Sequence, residues 1–278
     1  MKPVAFDYER PRSVAQALEL LDADPAAKIL AGGQTLGPML NLRLVQPELL
    51  IDITRIMEMV EVNESDDTYS IGACVTHAAI EDGRVRDPAN GFLRRVASGI
   101  AYRAVRTRGT IGGSLSHADP AADWLSALLV LGGELEIAHA GGMRRAALHG
   151  FLKGAMETDL GAAELVTAIH VPKSGKGARS GFHKICRKIG EFADAIGAVT
   201  LDPDTGFFRM VAAGGSEQPV LFDDPNLLFQ NGDPFDAGSF NMNMAMDALL
   251  EAGMERDEYE LRIRAVAMHR ALQDTMAT

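Results

Sequence analysis

Two short segments pair glycines with hydroxyl-bearing neighbours: Ala31-Gly32-Gly33-Gln34-Thr35 near the start and Thr110-Ile111-Gly112-Gly113-Ser114 near the middle. A dinucleotide pyrophosphate carries two negative charges. It binds where several backbone N–H groups converge without side chains in the way, and glycines at a strand end supply that geometry. Thr35, Thr110 and Ser114 add hydroxyl donors that tolerate close phosphate approach. Taken singly, a Gly-Gly pair is more often an ordinary tight turn. Neither segment matches G-x-G-x-x-G or the Walker pattern, which disfavours the Rossmann and P-loop readings. The other reactive side chains offer no rival centre. His77, His117 and His183 do not stand in metal-ligand spacing with each other or with the cysteines, and they read as caps, surface groups or core packing. Cys74 and Cys186 are the only cysteines and lie far apart, so they support neither a disulfide framework nor an iron–sulfur cluster and read as small buried apolar residues.

The elements around the two segments form an alternating α and β pattern. Ser13 opens an amphipathic helix, Lys28 to Ala31 is a short strand running into Gly32, Leu36 to Leu44 is helix-like, and Leu49 to Ile53 is a second strand. Further on, Tyr69 to Gly72 reads as strand and Phe92 to Ala97 as helix. Asp119-Pro120 places proline at the start of the helix carrying Trp124 to Leu131. Glu134 to Ala138 and Glu164 to Val171 read as strands, the latter ending at Pro172. The best linker is Lys173-Ser174-Gly175-Lys176-Gly177. Beyond it, strand-like runs at Phe182 to Cys186, Ala195 to Leu201 and Phe207 to Ala213 precede helices at Met242 to Leu250 and Glu258 to Leu272. The stretch from Asp223 to Ser239 reads as an irregular loop. The fold class is α+β, in three units at 1–57, 58–175 and 176–278.

With 278 residues, 47% of them hydrophobic, the chain can fill more than one core. Its formal charge of −11 argues against nucleic acid or an anionic membrane as main partner, so any phosphate must be held by local donors. There is no signal-like N-terminal run and no segment apolar enough to span a bilayer, which reads as cytoplasmic.

In order and spacing the two turns resemble those of the FAD-binding medium subunits of molybdenum hydroxylases, a family that includes carbon monoxide dehydrogenases and bacterial xanthine dehydrogenases. The matching residues are Ala31-Gly32-Gly33-Gln34-Thr35-Leu36 and Arg106-Thr107-Arg108-Gly109-Thr110-Ile111-Gly112-Gly113-Ser114. The likeness extends to Leu42-Arg43-Leu44, Asp52-Ile53, Ile71-Gly72-Ala73, His117 to Asp123, Arg187 to Ala193 and the terminal helix from Asp257. Ser114 departs from the commoner Asn or Asp, and Ile100 stands where relatives often carry an aromatic ring.

The resemblance implies a two-subdomain FAD-binding fold of the PCMH/vanillyl-alcohol-oxidase-like type, then a C-terminal domain of a three-stranded antiparallel sheet with helices. It implies FAD wrapped on one side by Lys28, Ile29, Leu30, Ala31, Gly32, Gly33, Gln34, Thr35 and Leu36, and on the other by Thr110, Ile111, Gly112, Gly113 and Ser114. Asp123 would hydrogen-bond the FAD, Val166 would contact the flavin ring region, and Lys184 would lie near the flavin. No catalytic or metal-binding residue is implied on this chain. The molybdenum cofactor would sit on a large partner subunit and [2Fe-2S] clusters on a small one, in a dimer of heterotrimers, with FAD passing electrons to an external acceptor. Two alternatives stand beside this: a self-contained FAD-dependent oxidase or reductase, and a non-catalytic nucleotide-binding scaffold.

Overall fold

The structure is a computed structural model that describes residues 2–254 and 257–276. The first unit is built from β1 (Asp7–Glu9), α1 (Val14–Ala23), β2 (Lys28–Leu30), α2 (Leu36–Asn41) and β3 (Leu49–Asp52). Its parallel sheet has the order β1-β3-β2, so β3 is central and buries Leu50 and Ile51. Ser13 caps α1, its Oγ accepting from the Gln16 amide at 3.3 Å. Pro38 sits in the first turn of α2, where its missing donor costs the helix no internal bond.

The second unit contains β4 (Val62–Glu64), β5 (Thr68–Gly72), α3 (His77–Glu81), α4 (Phe92–Gly99), α5 (Arg103–Arg106), α6 (Ile111–His117) and α7 (Asp123–Val130). It continues through β6 (Glu134–His139), β7 (Gly142–Ala147), the small hairpin β8 (Leu152–Gly154) with β9 (Glu157–Thr158), and β10 (Leu165–Pro172). The main sheet is antiparallel with order β4-β5-β10-β6-β7. Every residue of α7 is buried and β10 is buried through Val171, which accounts for their uninterrupted apolar runs. Side chains of the first unit, such as Ile51 and Ile53, share one core with Ile71, Trp124 and Ile169.

The third unit is a meander of β11 (Arg179–Ile185), β12 (Ala195–Asp202), β13 (Phe207–Ala213) and β14 (Val220–Phe222), followed by α8 (Met242–Glu251) and α9 (Glu258–Asp274). The sheet therefore has four strands where three were expected. The extra strand is the three-residue run Val220–Phe222 after Pro219, which pairs with Met210 to Ala212 but is too short to show a period in sequence. Two other expectations change. Pro120 lies in a turn before α7, where the Ala122 amide reaches the Asp119 carbonyl, and not at the helix start. The loop from Asp223 to Ser239 contains two 3-10 turns capped by Asp224 and Asp236.

α9 lies directly on the strand backbones. A Cβ on Gly197 would fall 2.2 Å from the Ala267 carbonyl, and one on Gly181 would fall 1.8 Å from the Ala271 oxygen. Backbone cannot yield as a side chain can, so Gly197→Ala is expected to destabilise the chain by about 3 kcal/mol or more. Gly99→Ala, with nothing within 4 Å of the new methyl, should stay within about 0.5 kcal/mol. Chemical denaturation midpoints compare the two, and equal midpoints would contradict the close approach.

Candidate dinucleotide site

The two glycine segments are in contact. A Cβ on Gly32 would lie 2.2 Å from the Arg108 carbonyl oxygen and 2.7 Å from the Gly109 Cα, and one on Gly113 would lie 3.6 Å from the Ala31 Cβ. The first turn leaves β2 through Gly33, whose φ of 71° is left-handed and favours glycine. Among the described residues, no protein group accepts a hydrogen bond from the amides of Gly32, Gly33, Gln34 and Thr35, and the Thr35 hydroxyl makes no capping bond. Four successive unpaired donors around a left-handed glycine form a concavity suited to an anion. Gln34 and Thr35 are exposed and Gly33 half-buried, so a ligand can reach them.

The second turn is built differently from expectation. It is the N-terminus of α6, and its amides are engaged: Ile111 donates to Val75 at 3.0 Å, Gly112 to Ala73 at 2.9 Å, Gly113 to the Thr110 hydroxyl at 3.1 Å, and Ser114 to the Thr110 carbonyl at 3.0 Å. Its glycines serve packing. A Cβ on Gly112 would meet Ala73 at 2.4 Å, and one on Gly113 would meet the Thr110 hydroxyl at 2.8 Å. The two turns are thus unequal, the first carrying the free donors and the second a close-fitting wall. Arg106, which leads into the second turn, is also structural. Its guanidinium grips Glu81 at 2.8 and 2.9 Å and donates to the carbonyls of Ile100 and Ala101, holding the Glu81 carboxyl below the usual carboxylate range.

Asp123 and Lys184 meet each other. The Lys184 ammonium donates to the Asp123 carboxylate at 2.8 Å and to the Gly99 carbonyl at 3.1 Å, tying β11 to the start of α7 and the end of α4. Both side chains are about nine-tenths buried. Burial pushes the Asp123 carboxyl up from its ordinary value, with Lys184 opposing that shift. Val166 is 3% exposed within the main core, beside the bulge between Val166 and Ala168. Lys28 is exposed, while Ile29, Leu30, Ala31 and Leu36 are half-buried and line the approach to the turn.

Of the cap, surface and core-packing roles the sequence leaves open for His77, the structure shows a buried residue, and its contacts are specific. Its Nδ1 accepts from the Trp124 indole N–H at 2.9 Å, and its backbone amide donates to the Gly109 carbonyl at 2.9 Å. Burial, with a smaller contribution from Arg106, pulls its pKa down to about 4. The folded chain therefore holds a neutral imidazole while the unfolded chain protonates below about 6.5. This contribution to stability is complete above pH 6.5 and is lost as pH falls toward 4, by an amount on the order of 3 kcal/mol. Urea midpoints at pH 7 and pH 4.5 should differ less in His77→Asn than in the parent chain; equal differences would contradict it. Of the remaining groups, His117 ends α6, His183 lies 3.4 Å from Arg270, and the Lys188 ammonium sits over the Tyr102 ring. Cys74 is buried with its thiol pushed up to about 12, whereas Cys186 is only half-buried, against expectation.

A family model described as the FAD binding domain in molybdopterin dehydrogenase matches residues 4–174. Subunit alpha of the 6-hydroxypseudooxynicotine dehydrogenase complex of Paenarthrobacter nicotinovorans is 38% identical over 237 residues, covering 83% of this chain and 80% of the relative. The carbon monoxide dehydrogenase medium chain of Afipia carboxidovorans is 35% identical over 207 residues, covering 74% of this chain and 72% of its own length. A chain of carbon monoxide dehydrogenase from Hydrogenophaga pseudoflava, in a form lacking the Mo-pyranopterin moiety of its cofactor, superposes with a TM-score of 0.86 at 29% identity. That superposition covers 100% of this chain and 99% of the other.

Proposed function

Because the chain belongs to the family of FAD-binding domains of molybdopterin dehydrogenases, and so is a flavoprotein subunit of an oxidoreductase, we propose that it is the medium, electron-exit subunit of a heterotrimeric molybdenum hydroxylase. The observation that carries this reading is the run of four unpaired amides from Gly32 to Thr35 pressed against the second glycine turn. That run fits a diphosphate, and the residues present fit FAD. The segment Lys28 to Leu36 would hold one side of the cofactor, and the Gly32, Gly33, Gln34 and Thr35 amides are the donors that would serve its pyrophosphate. Thr110 to Ser114 forms the opposite wall, contributing shape and the Ser114 hydroxyl more than amide donors. Asp123 and Lys184, paired with each other at 2.8 Å, and Val166 would lie at the flavin end, as the resemblance implies.

When bound, FAD can take electrons singly and give them up as a pair, which suits the junction between one-electron clusters and a two-electron acceptor. The chain's own residues orient and hold the group, and no acid or base of theirs is needed for that task. We assign FAD binding to the subdomains at 1–57 and 58–175, with 176–278 as the C-terminal flavoprotein domain. The partners are a large subunit with the molybdenum cofactor and a small subunit with [2Fe-2S] clusters, arranged as a dimer of heterotrimers in the cytoplasm. Among the described residues, no helix is long and apolar enough to cross a membrane. Purification from the native host is expected to bring down both partner subunits with molybdenum and iron. A flavin-bearing monomer that oxidises a substrate alone would overturn the assignment in favour of a self-contained oxidase.

A further inference from the structure

His77 begins α3, yet its contacts lie with the two structures that frame the proposed cofactor site. Its backbone N–H holds the Gly109 carbonyl, and the adjacent Thr76 forms a β-bridge with Thr110. Because Nδ1 accepts from Trp124, the ring's proton is on Nε2. A Cβ on Gly109 would lie 2.8 Å from that Nε2, so the ring edge is flush against the backbone of the residue that precedes the second turn. Gly109 is also the residue against which Gly32 of the first turn packs, at 2.7 Å from a Gly32 Cβ. On its other side the imidazole meets Trp124, which is fully buried and follows Asp123 at the start of α7. One side chain thus touches Gly109, where the two glycine turns meet, and the helix that carries Asp123.

We propose that His77 is a positioning residue for the flavin nucleotide, a neutral imidazole clamped between Trp124 and Gly109 that sets the second glycine turn against the first and against Asp123. It does not touch the cofactor. The role demands both properties of the ring: an acceptor for an indole N–H buried out of reach of water, and a flat edge that fits against glycine. An apolar residue would leave the Trp124 donor unpaired, and the cheapest relief is rotation of α7 or retreat of Gly109, either of which opens the site. This inference rests on the FAD reading above.

The test compares His77→Asn, His77→Leu and the double variant His77→Leu/Trp124→Phe in the full chain, with FAD itself as titrant at pH 7. The readouts are the dissociation constant from flavin fluorescence and the visible circular dichroism of the bound flavin. Asn places an amide oxygen where Nδ1 stands, so it should keep affinity within about 3-fold and preserve the dichroism. Leu should weaken binding by about 10-fold or more and alter the dichroism. The double variant, which removes donor and acceptor together, should bind no more weakly than His77→Leu. Leu binding FAD as tightly as the parent, or Asn losing as much as Leu, would overturn the positioning role while leaving the FAD reading intact. A parent chain that takes up no FAD would overturn the FAD reading and this inference with it.

Discussion

Gly32→Val is expected to lower FAD affinity by about 100-fold or more, roughly 2.7 kcal/mol, with a smaller loss of global stability. The reason is the place of the new Cβ. It would lie 2.2 Å from the Arg108 carbonyl and 2.7 Å from the Gly109 Cα, so the two turns must separate, and neither contact is a flexible side chain. Separation removes the wall from the four free amides without disturbing the β2–β3 ladder that carries them. Gly37→Ala, two residues beyond the nest in α2, has nothing within 4 Å of its new Cβ and should leave affinity within about 2-fold. Flavin fluorescence titration distinguishes the two, and a Gly32→Val chain that binds FAD like the parent would show that the turns need not touch.

Lys184→Met should destabilise the chain by about 3–5 kcal/mol at neutral pH, because it leaves the Asp123 carboxylate buried without its cation. The loss has a definite sign with pH. Burial already raises the Asp123 pKa above its ordinary value, and removing the ammonium raises it further. A carboxyl whose folded pKa lies above the unfolded one favours the fold at low pH and loses that contribution as pH rises through the folded pKa. The penalty of Lys184→Met should therefore shrink as pH falls toward the ordinary carboxylate range. Replacing both partners, as in Asp123→Leu/Lys184→Met, should recover most of the stability. Urea denaturation of the three variants at pH 7 and pH 5 measures each part; a single variant as stable as the parent at pH 7 would show that the pair is not buried in solution. Because Lys184 joins β11 to α4 and α7, the same single variant is expected to loosen the third unit from the FAD-binding units.

The contrast between the two glycine turns marks the limit of what could be read from sequence. Ala31 to Thr35 follows a strand and precedes a short helix, and both neighbours were legible from their apolar pattern. Thr110 to Ser114 looked equivalent, but Thr110 is a helix cap and the following Ile111-Gly112-Gly113 is helix, against the low helix propensity of two glycines. Tertiary packing overrides that propensity, since Gly112 must lie against Ala73. Strands β1, β4 and β7 were missed because they are three to six residues long, largely exposed, and take their shape from a neighbour's ladder. The pairing of Asp123 with Lys184 joins residues 61 apart in sequence and had no local signal, although each was singled out separately. His77 was visible only as one histidine among several, because its role depends on Trp124, 47 residues away.

The most direct measurement is the flavin stoichiometry of the native complex. Acid precipitation followed by chromatographic identification of the released cofactor, set against the amount of this chain, should give one FAD per chain, and the Gly32→Val complex should give far less while retaining its molybdenum and iron. A native complex with full molybdenum and iron but no FAD, or a Gly32→Val complex with undiminished FAD, would contradict the assignment of the glycine turns as the flavin site.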